Sequence, residues 1–227
     1  MEPALAQLDE GVRSAAAAGA GMEQRLRISV LPSFAQHWLL PRLAGWREAH
    51  PDITLDIHNS QQLVDLPREG FHAALRQGAG PWRGLEGTCL VSSPMIVVAA
   101  PSLTAQMPNF EPATLAHQPL LGSAGRWERW FALAGHVCKV RPAAVFNDMS
   151  LSLQAAERGL GISMARTLQA TDALLAGRLV QLSPVALDDE ADDCLWLVHP
   201  PERRDWPPLV ALRAWLLAEL AKQNALG

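Results

Sequence analysis

The sequence predicts an α/β fold arranged as two lobes. Period-two apolar strands alternate with helical segments between about residues 26 and 76, the strand–helix–strand order of a parallel-sheet unit. After Pro101-Ser102 the register resets and the alternation starts again. A length of 227 residues accommodates two lobes of roughly 100 residues each.

Taken in order, residues 3–18 have helix-forming composition with Leu5, Leu8 and Val12 at helical spacing, and Gly19 and Gly21 then make a hinge. In RLRISV, Leu26, Ile28 and Val30 alternate with Arg27 and Ser29, which predicts a half-buried strand. A helical pattern follows Leu31-Pro32-Ser33 and runs to Ala49; Pro41, having no N–H, must begin or kink its main segment. DITLDIH (52–58) is a second strand, and 71–76 a third. Leu85 to Val91 and Met95 to Ala100 are strands around Ser92-Ser93-Pro94, and Pro101 to Pro119 is a loop with one helical turn. The second lobe is expected to hold a brief strand at 119–121, a Trp-containing helix at 126–134 and a strand at 143–146. A helix from Met149 stopped by Gly159, a strand at 161–165 and a helix stopped by Gly177 follow. A strand at 193–198 and a helix from Leu209 to Ala221, with Leu209, Leu212, Leu216 and Leu220 on one stripe, close the chain.

Composition removes several classes of function. Apolar residues make up 49% and charged residues 19%, a globular balance. No apolar run approaches the roughly 18 residues of a membrane span, so no membrane partner is expected. Asp9, Glu10 and Arg13 interrupt the N-terminal stretch where an export signal needs apolar continuity, which favours the cytoplasm. The net charge of −4 offers no basic face for nucleic acid. Three cysteines, Cys89, Cys138 and Cys194, are far apart and without a C-x-x-C pair, so buried structural thiols are expected.

Motifs for catalysis fail on context. Gly161-Ile162-Ser163-Met164-Ala165 is one residue away from G-x-S-x-G, but a helix precedes it and Ser163 falls inside the following strand, where no strained turn projects the hydroxyl. Gly78, Gly80 and Gly84 miss the phosphate-loop spacing and read as a turn. The seven histidines show no metal-ligand spacing. Trp127 and Trp130, at helical spacing, read as core; Gln61-Gln62 and Asp188 to Asp193 read as solvated loop. What remains is a set of polar residues where strands end and helices begin: Ser33, Gln77, Ser123 and Asn147-Asp148. Each alone reads better as a cap, and only their joint placement favours a ligand site.

Five segments in order carry a family resemblance: LRISVLPSFAQHWLLPRL, AHPDITLDIH, ALRQGAGPWRGLEG, VVAAPSL and NDMSLSLQAAERGLGISMARTLQATDALLAGRLVQL. From about residue 24 to 221 the chain resembles the effector-binding (substrate-binding) domain of LysR-type transcriptional regulators, in the glycine-cleavage-activator and AmpR-like branch. The resemblance implies the fold of type 2 periplasmic binding proteins, two α/β lobes with an interlobe cleft. Lobe one would hold 24–98 plus 196–227 and lobe two 99–195, with 1–23 the tail of a linker helix and hinge. It implies a small-molecule effector, a homodimer or tetramer using the first helix (Leu39, Leu43, Trp46), and promoter DNA reached only through a helix-turn-helix that this chain lacks. The family's effector contacts match Ser33 and Asn147-Asp148-Met149. The ligand-binding set is taken as Ser33, Phe34, Gln77, Ser93, Ser123, Asn147, Asp148 and Met149, with no catalytic residue, no metal and no cofactor. His72, Gln77 and Met149 depart from the branch's usual Asp, Tyr and nearby Ser, which implies a different effector. A free-standing solute-binding protein of the same fold is the alternative, and an enzyme is disfavoured.

Overall fold

The computed structural model describes residues 24–62, 65–80, 82–188 and 194–224. The helix expected at 3–18 lies outside them. The described residues gather into two units: one holds the chain up to Leu31, Arg42–Val91 and Leu195 onward, the other Pro32–Pro41 and Ser92–Cys194.

In the first unit, β1 (Gln24–Val30) buries Leu26, Ile28 and Val30 completely, as its alternation requires. It lies parallel to β2 (Ile53–Asn59), with Gln24 opposite Ile53 and Val30 opposite Asn59, and parallel to β3 (Ala73–Gln77). β4 (Glu86–Ser92) and β9 (Cys194–His199) complete a sheet of order β2-β1-β3-β9-β4, in which β9 runs antiparallel to β3. Outward-facing polar side chains on β1 and β2 are paired, Arg25 with Asp56 at 2.7 Å and His58 with Asp56 at 2.9 Å. The last helix buries Leu209, Leu212, Leu216 and Leu220, the expected stripe, and sets Trp215 edge-on to Trp46.

The helix after β1, α1, has three parts: an α-helical turn at Pro32–Phe34, a π turn at Ala35–Leu39 and an α-helix at Leu40–Ala49. Pro41 accounts for the π turn. It has no N–H for the carbonyl four residues back and its ring crowds that carbonyl, so the turn before it widens. Leu40 N accordingly donates to Ala35 O, five residues back. Short helices follow at Leu66–Glu69 (α2), Pro101–Thr104 (α3) and Pro112–Leu115 (α4).

The second unit is built on a sheet of order β6-β7-β5-β8: β5 (Met95–Ala99), β6 (Leu120–Leu121), β7 (Ile162–Arg166) and β8 (Val180–Gln181). Both faces are covered. Met95, Val97, Ala99, Ile162 and Met164 pack into one apolar cluster with Trp127, Trp130 and Phe131 of α5 (Ala124–Leu133). Ile96, Val98 and Ala165 pack into another with Leu153 and Ala156 of α6 (Met149–Glu157) and Ala170 and Ala173 of α7 (Thr167–Leu175). The tryptophans read as core from sequence are core, and their indole N–H groups are satisfied by the carbonyls of Leu121 (2.8 Å) and Val185 (3.0 Å). The last helix, described above, is α8 (Pro207–Asn224).

Three sequence expectations are corrected. Residues 143–146 make only an isolated bridge, Ala144 to Leu121, because the partner β6 has just two residues before Gly122 (φ 102) turns the chain into α5. β8 was not expected; it is two residues long and pairs with β5. Cys89 and Cys194 are not thiols. Both are disulfide-bonded, while Cys138 is free.

Gly161 is where the second sheet tolerates no side chain. A Cβ there would lie 2.4 Å from Pro119 O and 3.0 Å from Leu121 Cγ, and that carbonyl already accepts from Ile162 N at 2.8 Å. Gly161→Ala is expected to cost about 1–3 kcal/mol, the usual range for overpacking, seen as a lower urea midpoint at unchanged slope. An unshifted midpoint would mean that the β6–β7 junction yields.

Candidate functional site

The second unit brings together the polar residues most suited to holding a ligand. The helix α6 starts at Asp148, whose extended backbone (φ −130, ψ 132) and side chain make an N-cap: Oδ1 accepts from Ser150 N at 2.6 Å. The next residue on the buried side, Ser150, is 2% exposed, yet its Oγ has no hydrogen-bond partner among the described residues. Two residues on, Ser152 shows the contrast. Its Oγ lies 2.7 Å from Ser163 Oγ, and Ser163 donates to Met164 O at 3.2 Å, so that buried pair is closed. Ser163 is therefore a satisfied core hydroxyl, as its position inside β7 suggested.

Ser33, in the first turn of α1, belongs to the same unit. The Pro32–Phe34 turn packs against α6 and the π turn against α7. Ser33 Oγ accepts from Gln169 Nε2 at 3.2 Å, and Gln169 Oε1, on a side chain 4% exposed, is left without a partner. A buried amide oxygen and a buried hydroxyl with unspent capacity each cost about 1–3 kcal/mol unless water or a ligand supplies the missing bond. The arrangement is a neutral set of hydrogen-bonding groups beside a helix N-terminus whose positive end is already met by a carboxylate.

The other residues singled out from sequence sit differently. Phe34 is fully buried and stacked on Trp38 at 4.9 Å. Met149 packs against both apolar clusters of its unit. Ser93 is buried, but its Oγ accepts from Leu168 N at 2.9 Å and its carbonyl from Arg166 Nη1 at 2.8 Å, so it caps α7 from β5's side. Ser123 and Asn147 are exposed, and Ser123 makes no cap bond with its side chain. Gln77 ends β3 in the first unit, opposite Leu195.

Four functional-looking groups were missed. Ser150 and Gln169 follow the rule that selected their neighbours, polar residues in the first turn of a helix, and Gln169 stands after β7 as Ser33 stands after β1. His37 is half-buried in the π turn with Nε2 unpartnered; burial lowers its pKa, against weaker upward pulls from Glu157 and Asp148. Arg76, buried in the first unit at the end of β3, donates to Ser29 Oγ (2.7 Å), Gln62 O (3.0 Å), Ser60 O (3.1 Å) and Leu75 O (3.3 Å), and burial lowers its pKa. Among the described residues no cluster of His, Cys, Asp or Glu is placed to hold a metal ion.

Comparison with known proteins gives this geometry a context. The family model for the LysR substrate binding domain matches residues 19–221. The chain is 34% identical over 210 residues to the HTH-type transcriptional activator AmpR of Pseudomonas aeruginosa, covering 89% of this chain and 68% of that one. It is 32% identical over 226 residues to the glycine cleavage system transcriptional activator of Escherichia coli K12, covering 97% and 72%. The effector-binding domain of AmpR from Citrobacter freundii superposes with a TM-score of 0.75 at 27% identity, covering 88% of this chain and 100% of that one.

The lowered pKa of His37 makes a stability statement. Its folded value lies below the ordinary 6.5, so between the two the unfolded chain binds more protons. The contribution is whole above 6.5 and is lost as pH falls through the folded value. Urea midpoints are expected to fall on acidification from pH 7.5 to 5, and less so in His37→Gln; an identical fall in both chains would remove His37 as a cause.

Proposed function

This chain belongs to the LysR substrate-binding domain family, with the fold of type 2 periplasmic binding proteins, and on that premise we propose that it senses a small polar effector for a transcriptional regulator. The observation that supports the effector site is a pair of buried atoms without a hydrogen-bond partner, Gln169 Oε1 and Ser150 Oγ, in the unit that also holds the Ser33–Gln169 bond. Asp148 sets the ligand class. Its carboxylate caps α6 and offsets the helix's positive end, so the site favours an amine-bearing molecule such as an amino acid or peptide over a simple carboxylate. Asn147 and Met149 border this position, while Phe34 and Ser93 support it through packing and the α7 cap.

The protein so read is a regulator and no enzyme: its relatives are transcriptional activators, and the one catalytic-looking serine is closed off by Ser152. It works as a homodimer or tetramer, in the cytoplasm beside promoter DNA, and touches that DNA only through a helix-turn-helix domain, not through the effector-binding lobes. The free-standing solute-binding reading gives way to this one because the relatives are regulators over 97% of the chain in the case of the glycine cleavage activator.

Ser33→Ala removes one hydrogen bond worth roughly 0.5–1.5 kcal/mol, so affinity should weaken several-fold to about tenfold with the fold retained. The measurement is calorimetric titration of amino acids, short peptides and simple carboxylates against both chains. A simple carboxylate binding best would overturn the ligand class, and unchanged affinity for a confirmed ligand would remove Ser33. With a net charge of −4, this chain alone is expected to bind duplex DNA only weakly. Tight, salt-sensitive retention of a promoter fragment in a mobility-shift assay would contradict that.

A further inference from the structure

We infer that effector binding in the second unit is coupled to the protonation of His37: the site takes a cationic amine while the imidazole is uncharged, and a proton on that ring competes with it. The inference rests on the reading above and deepens it, since Asp148 is the group that both cations share. Every residue involved lies within Pro32–Pro41 or Ser92–Cys194.

His37 stands four residues after Ser33, one turn along the same side of α1. Its π turn packs against α7, and Gln36 beside it accepts from Gln154 Nε2 of α6 at 3.4 Å, so this turn is tied to both helices. Among the described residues four side-chain atoms are buried without a hydrogen-bond partner, and three of them, His37 Nε2, Ser150 Oγ and Gln169 Oε1, belong to α1, α6 and α7. The fourth, Trp82 Nε1, is in the other unit. Unspent polar capacity is thus gathered on the three helix segments that pack together.

Charge selects what can use it. Glu157 and Asp148 of α6 and Asp172 of α7 each favour a positive charge on His37, while Arg178, just after α7 and 3.4 Å from Glu157, opposes it. Burial opposes it more strongly than any of these groups, so the ring is uncharged at neutral pH. Three carboxylates therefore attract a cation that the imidazole does not supply. An ammonium group supplies it, with three N–H donors for acceptors such as Gln169 Oε1 and Ser150 Oγ. Neutral His37 keeps a ring nitrogen that accepts, and an imidazolium has none. A proton on the ring occupies the field and turns an acceptor into a donor.

Because amine and proton exclude each other, a bound amine lowers the His37 pKa further, and amine affinity falls by up to about tenfold per unit of pH below the value in the free protein. Above 6.5 the ring has no proton to displace.

The test is the His37 ring pKa, followed by NMR through a pH series on the native chain, alone and with alanine, lysine, dialanine or ethylamine as amines and acetate or N-acetylalanine as carboxylates without one. An amine should lower the ring pKa, calorimetry of the same amine should show affinity lost only below pH 6.5, and His37→Gln should flatten that loss. A ring pKa that none of the amines lowers overturns the inference, and so does an equal loss in His37→Gln. The ring titration needs no variant, so it decides even where His37→Gln folds poorly. An amine that binds without moving the ring leaves the proposed ligand class standing and removes only the coupling. Binding of acetate or N-acetylalanine alone removes the ligand class, and it is told apart by its sign, since an anion raises the ring pKa.

Discussion

The second unit depends on one constraint: β5 and β7 are buried on both faces, and successive residues along them go to different apolar clusters. Val97 packs with the α5 aromatics, while its neighbours Ile96 and Val98 pack with α6 and α7. Because the side-chain period of a strand is two, a slip of one residue would exchange every one of these partners. The pairing of Val98 with Ser163 and Met95 with Arg166 is thereby held. That register carries the site. It fixes where β7 ends and α7 begins, hence where Gln169 stands. It also sets Ser163 under α6, where it meets Ser152 and anchors the helix that Asp148 caps. Gly161 guards the same register from the other side, since the close approach of Pro119 O leaves no volume for a side chain.

On α6 the fold distinguishes two kinds of buried serine two residues apart. Ser152 finds a partner in the sheet below and costs nothing further, whereas Ser150 is equally withdrawn from water and finds none. Gln169 repeats the asymmetry within one side chain, its amide nitrogen spent on Ser33 and its oxygen unspent. In a core evolved for stability alone, such groups would be replaced by apolar ones of the same shape at little loss. Their presence at the starts of two helices fits the proposed role, in which a polar molecule completes the missing bonds. Arg76 is the opposite case. Its burial is costly, but four oxygens meet its two terminal nitrogens, and it ties the Ser60–Gln62 turn to the ends of β1 and β3.

Much of the framework was legible because local chemistry announced it. The alternation in RLRISV, the missing N–H of Pro41, and Gly159 and Gly177, which end α6 and α7 with φ of 73° and 68°, all act within a few residues of themselves. What escaped is non-local. β8 exists only because β5 offers an edge to two residues, and the strand expected at 143–146 shrinks to a bridge because β6 is too short to pair with it. Of the site, Ser33 and Asp148 were visible as residues at strand ends and helix starts. Gln169 and Ser150 obey the same rule but are distinguished only by burial without a partner, a property that no linear pattern carries.

If the effector binds where proposed above, selection rests on completeness of bonding more than on charge. Ser33, Ser150 and Gln169 are neutral, burial favours the uncharged form of His37, and the Asp148 carboxylate accepts from a backbone N–H of its own helix. What separates a good ligand from a poor one is whether it supplies the bonds that Gln169 and Ser150 lack. An analogue missing one such group leaves a buried polar atom dry and is rejected more sharply than an analogue altered in apolar bulk, where each methylene is worth about 1–3 kcal/mol. On the reading proposed above, the polar atoms left open at the starts of α6 and α7 select the effector by the positions of its hydrogen-bonding groups.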